Sequence, residues 1–99
     1  MNIERWNKFT LPQKLGNIGS EVARARLCEE KGDQNGRNAA LKRVLEMLDL
    51  VIQFPSTPGQ KKELSRVREL ISSWHAGQKL SDNSPSLLEE YFTQFAFLT

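Results

Sequence analysis

Apolar residues at Leu11, Leu15, Ile18, Val22 and Ala25 recur at alternating spacings of four and three, the stripe of a helix that faces a core. The predicted helix runs over 11–31. Thr10 supplies an oxygen to cap it, Pro12 suits a first turn in which no backbone N–H is needed, and Gly32 can take the left-handed conformation that ends it. Asp33 or Asn35 caps a second predicted helix over 34–54. Its Leu41, Val44, Leu45, Leu48, Val51 and Ile52 form a broad apolar face before Pro55 forbids continuation. The Gly32-Asp33 joint is short, so these two helices are expected to form an antiparallel hairpin.

Thr57 with Pro58 opens a third predicted helix over 58–76, with Leu64, Val67, Leu70, Ile71 and Trp74 expected inward and Gly77 as its stop. A fourth begins at Ser84-Pro85 and is assigned to 85–98. There Ser86 and Glu89 have capping-box spacing, and Leu88, Tyr91, Phe92 and Phe95 are the expected buried face. Ahead of Thr10, the segment with Trp6 and Phe9 reads as a short extra helix or an arm. No stretch alternates apolar and polar residues with β-branched enrichment, so no strand is expected. The fold class is therefore all-α, a mainly antiparallel four-helix bundle, and the short linkers 54–58 and 77–84 favour an up-and-down path.

At 99 residues the chain is long enough for one hydrophobic core, and 1–99 is read as a single domain. Fourteen basic and twelve acidic residues give a net charge of +2, and they are interspersed, which leaves little long-range field for a polyanion. No Lys or Arg follows Lys79, and the closing stretch holds Asp82, Glu89 and Glu90. Nucleic acid is thus a disfavoured partner. Arg24, Arg26, Arg37, Lys42 and Arg43 would have to share one surface, whereas their positions around the hairpin scatter them.

One cysteine, Cys28, and one histidine supply neither a disulfide nor a thiolate-rich zinc site, so no metal and no cofactor are expected. The adjacent pairs Glu29-Glu30 and Glu89-Glu90 point about 100° apart on a helix and form no chelate alone. The six glycines are scattered and never build a phosphate-cradling turn. The opening MNIERWNKFT has no apolar signal run, and no window approaches the ~18 apolar residues of a spanning helix. A cytoplasmic protein with no membrane association is the expectation.

Arg68 and His75, separated by ELISSW, lie seven residues apart, almost two helical turns, so both fall on one edge of the third helix with Ser72 beside them. This spacing resembles the Arg-to-His motif of the HEPN ribonuclease superfamily, a helical-bundle group. The resemblance implies a proton-handling His75 and an Arg68 that steadies the scissile phosphate. Glu69 departs from the polar residue that usually follows the motif arginine, and the chain is short for that superfamily. The plain alternative is a solvated Arg68 and a His75 favoured near a helix C-terminus.

Three further readings complete the sequence picture. Glu29 continues the apolar stripe of the first helix and Arg37 that of the second, so a Glu29 or Glu30 pair with Arg37 is expected across the hairpin, in a structural role. Ala25, Gly32, Asp33, Ala39, Ala40 and Leu41 resemble a tetratricopeptide hairpin, but no second copy follows at the ~34-residue offset such repeats need. The stretch IGSEVARARLCEEKGDQNGRNAALKRVLEMLDL, 18–50, is similar to a group of small bacterial proteins without an assigned activity, which implies a bacterial cytosol and supplies no functional residue.

The aromatics are expected mostly in the core. Trp6, Phe9, Phe97 and Leu98, at the two ends of the chain, are the candidate interaction patch. With no catalytic constellation apparent, the sequence favours a non-enzymatic bundle that binds another protein or itself as a homodimer. The alternatives are a small ribonuclease using Arg68 and His75, and a weak nucleic-acid binder.

Overall fold

The computed structural model describes residues 2–53, 58–81 and 84–94. Five helices follow one another: α1 (Ile3–Asn7), α2 (Leu11–Glu30), α3 (Gln34–Gln53), α4 (Pro58–His75) and α5 (Ser84–Thr93). No strand occurs among the described residues, and the all-α bundle expected from the apolar stripes is what the chain forms.

Local chemistry sets the helix ends. Thr10 Oγ1 accepts from the Gln13 N–H at 3.2 Å while Gln13 Oε1 accepts from the Thr10 N–H at 2.8 Å, a reciprocal capping box at the start of α2. Asp33 Oδ1 accepts from the Gly36 N–H at 2.9 Å and caps α3. Gly32 (φ 74°) and Gly77 (φ 96°) close α2 and α4 in the left-handed region. At each stop the residue after the glycine donates back to the first carbonyl of a six-residue loop, Asp33 to Cys28 at 2.8 Å and Gln78 to Ser73 at 3.0 Å. α5 starts at Ser84, two residues before Ser86. The expected Ser86–Glu89 box does not form there, because Glu89 reaches across to Arg26.

The helices run alternately up and down. α3 packs on both α2 and α4, and α5 packs on α2. Glu29–Arg37 and Glu21–Arg43 join α2 and α3 two turns apart in opposite chain directions, which fixes them as antiparallel. Gly19 lies under Thr93 and Arg26 meets Glu89, so α5 is antiparallel to α2 in the same way. The spatial order is therefore α4, α3, α2, α5, and α4 and α5 flank the remaining side of the bundle.

The core between them includes the fully buried Ile18, Val22, Leu41, Val44, Leu48, Ile71, Trp74 and Phe92. At roughly 1.5–3 kcal/mol per large apolar side chain, this burial is what draws the four stripes together. α1 packs Trp6 onto the outer surface of the α2–α3 hairpin, beside Asn17, Arg43 and Met47.

Candidate functional site

One end of the bundle is tied by a charged cluster. Glu29 Oε1 accepts from Arg37 Nη1 at 3.2 Å and from the indole N–H of the fully buried Trp74 at 3.0 Å, so one carboxylate joins α2, α3 and α4. Arg37 Nε and Nη2 both donate to Asn38 Oδ1, at 3.3 and 3.2 Å. The expected Glu29–Arg37 pair is present, and the Trp74 contact is a partner that spacing within the hairpin alone could not supply. A 350 Å³ cavity beside it is lined by Gly77–Ser81 and Pro85. Each nitrogen of the Arg37 guanidinium makes one of these hydrogen bonds, so the cluster acts as a clasp between helices.

Of the basic side chains weighed for nucleic acid, the four arginines are likewise engaged, while Lys42 is exposed. Arg24 and Arg43 both pair with Glu21, and Arg26 bridges Glu30 and Glu89 at 3.0 and 2.7 Å. The two carboxylates around Arg26 hold its guanidinium above its ordinary pKa, with the Glu89 hydrogen bond as the largest cause. A phosphate contact by any of these arginines would compete with one of these pairs.

Arg68 occupies the edge of α4 that faces α3. Its Nε and Nη2 grip the two oxygens of Asp49 at 2.5 and 3.1 Å, and this hydrogen bonding raises the Arg68 pKa. His75 is the last residue of α4 and is half-buried. The guanidinium fork that would hold a phosphate is thus already filled by a carboxylate.

Trp6 departs from its expected surface position. It is 4% exposed, its ring meets Phe9 edge-on with centroids 6.3 Å apart, and the Lys14 ammonium stands over it at 5.7 Å. Its indole N–H lacks a hydrogen-bond partner among the described residues. The alternation of polar residues around it hid this burial, since the covering groups come from α2 and α3. Phe97 and Leu98, the other half of the expected patch, lie outside the described residues, as do Phe54, Thr57 and Phe95.

Among the described residues, large apolar side chains are exposed at Ile3 of α1, Leu27 of α2, and Leu70 and Leu87 on the α4–α5 side, where they lie beside a cavity. This 330 Å³ cavity is lined by Leu11, Pro12 and Leu15 of α2, Gln60, Glu63 and Leu64 of α4, and Tyr91 of α5. The phenol of Tyr91 is pushed up to about 12, first by burial and then by its hydrogen bond to the Glu63 carboxylate, so it donates as a neutral hydroxyl. Leu87 is one turn before Tyr91 on α5, and Leu70 is two turns after Glu63 on α4, which places both leucines on the edges that carry the cavity. They are 59% and 39% exposed. Leu70 was expected inward. It sits about 100° around α4 from the fully buried Ile71, and at that angle the side chain is only partly covered.

No family model, curated protein or solved structure matches the chain.

Proposed function

We propose that this protein is a docking module whose working surface is the α4–α5 side of the bundle, where it receives an apolar helical face of another polypeptide. The observation that carries this reading is the pair of exposed leucines, Leu70 and Leu87, on the two helix edges that continue from an open apolar cavity. Two large apolar side chains left partly in water forgo the transfer free energy that burying their exposed area would return, a fraction of the roughly 1.5–3 kcal/mol of a fully exposed leucine, and a partner surface recovers it. Glu63 and the neutral Tyr91 hydroxyl at the cavity rim add polar groups that orient what enters. The arginines of α2 and α3 are engaged in intramolecular ion pairs, whereas Leu70 and Leu87 remain exposed beside the cavity.

The test is photo-cross-linking in the native cells, with a benzophenone amino acid at position 87 and, as a control, at the exposed Lys42 of α3. Cross-linked protein products at 87 and not at 42 are the expected result. Equal and negligible yields at the two positions would remove the reading.

A further inference from the structure

We infer that the 330 Å³ cavity between α2, α4 and α5 is a binding site for a small free amine, a molecule with an apolar body that ends in one ammonium group. The site is separate from the docking reading, which turns on Leu70 and Leu87 outside the cavity lining.

The lining grades from apolar at depth to charged at the mouth. Leu15 of α2 and Leu64 of α4 are each 3% exposed and form its floor. Leu11, Pro12 and the Tyr91 ring are half-buried and form its walls. Glu63 is exposed and stands at the mouth, where its carboxylate accepts from the Tyr91 hydroxyl. Among the described lining residues Glu63 carries the only formal charge, and no ion pair among the described residues takes it up. Lys61 and Lys62 neighbour it in sequence but fall about 200° and 100° away around α4, outside the lining. The Lys14 ammonium stands over Trp6, on the outer surface of the α2–α3 hairpin.

An apolar floor with a single carboxylate at the rim is complementary to a ligand that has one apolar end and one cation. Such a molecule enters tail first, buries its carbons against Leu15 and Leu64, and keeps its ammonium at the rim, on Glu63 and still partly in water. Neither charge is stripped of its hydration, so the penalty that attends a buried ion pair is avoided. The Tyr91 hydroxyl takes one acceptor position of a carboxylate that offers about four, which leaves room for the ammonium beside it. A lysine projecting from a docked helix enters in the opposite sense, ammonium first toward the leucines, which is why the site suits a free amine. An anionic head group would meet Glu63 with like charge.

The test is a titration of the purified, isotopically labelled chain with hexylammonium chloride, hexanol and sodium hexanoate at neutral pH and low salt, followed by NMR of the tyrosine ring and the leucine methyl groups. The chain has a single tyrosine, so the ring signals belong to Tyr91. Hexylammonium should shift the signals of Tyr91, Leu11, Leu15 and Leu64 and saturate with a Kd of about 1–10 mM. Hexanol should bind roughly twofold to fivefold more weakly, the worth of one partly exposed ion pair, and hexanoate more weakly still. Glu63→Gln should bring hexylammonium to the level of hexanol, and Glu63→Lys should make hexanoate the preferred probe of the three. Position 63 is exposed, and circular dichroism of both variants checks that the helices are intact.

Equal affinity for the three probes, a preference for hexylammonium that survives Glu63→Gln, shifts confined to residues outside the lining, or no saturation by about 50 mM would each overturn the amine site. None of these outcomes bears on the cross-link at position 87, and an absent cross-link does not alter the titration, so the amine site and the docking surface fail separately.

Discussion

Tyr91 is the single tyrosine of the chain, so its phenolate absorbance reports on one position in the groove. Its folded pKa of about 12 lies above the ordinary value of 10. The unfolded chain therefore releases this proton first, and its contribution to stability is complete below pH 10 and is lost as the pH rises through 12. Titration followed near 295 nm should show a midpoint close to 12 in the folded protein. Glu63→Gln should lower that midpoint without returning it to 10, because burial, the largest single cause, remains when the carboxylate is gone. A midpoint at 10 in the wild type would mean that the hydroxyl stands in water. At the other end of the bundle, Glu29→Ala leaves the Trp74 N–H buried without its acceptor, which should cost about 1.5–3 kcal/mol in denaturant unfolding, whereas Glu29→Gln should keep most of that stability. The Glu29–Arg37 half of this cluster was legible because both residues extend apolar stripes that meet at a short turn. The Trp74 half depends on how α4 is placed against the hairpin, which no local pattern encodes.

At the scale of the element, the limits of the helices follow from short-range chemistry and were therefore readable. Thr10, Pro12, Gly32, Pro58 and Gly77 act through backbone geometry within a few residues, and α2, α3 and α4 begin and end within a residue of where those signals place them. Helix contacts were not readable in the same way. Gly19 shows why: in sequence it is a glycine inside a helical stripe, and in the fold it is where α5 crosses α2 most closely. A Cβ there would lie 2.9 Å from Thr93 Cγ2, 3.0 Å from Phe92 Cβ and 3.1 Å from the Thr93 backbone nitrogen. Gly19→Ala gains about 1 kcal/mol of helix propensity but forces α5 outward, at a cost of about 1–3 kcal/mol. A net loss of stability is expected, since one of the crowded atoms belongs to the backbone. Gly59→Ala, with nothing within 4 Å of the added methyl, is the matched control and should raise the melting temperature slightly.

For the molecule as a whole, the order α4, α3, α2, α5 decides which apolar residues are structural and which remain for a partner. Periodicity placed Leu70 and Ile71 together on one face, because a stripe about 100° wide includes both. Only the packed arrangement separates them, with Ile71 fully buried in the core and Leu70 39% exposed. The same arrangement took Trp6 out of the expected surface patch and left Leu70 and Leu87 exposed on α4 and α5. The division has a measurable consequence in the purified chain. Ile71→Ala should lose about 2–5 kcal/mol of unfolding free energy, through lost transfer and the cavity left behind. Leu87→Ser should stay within about 0.5 kcal/mol of the wild type, because that residue is 59% exposed in the folded chain, and Leu70→Ser, at a residue 39% exposed, should cost more than that but well below the loss at Ile71. If Leu87→Ser instead unfolds as readily as Ile71→Ala, the leucine belongs to the core and the docking surface loses its central residue. If it is neutral, the free energy of burying that leucine is left for a partner to recover.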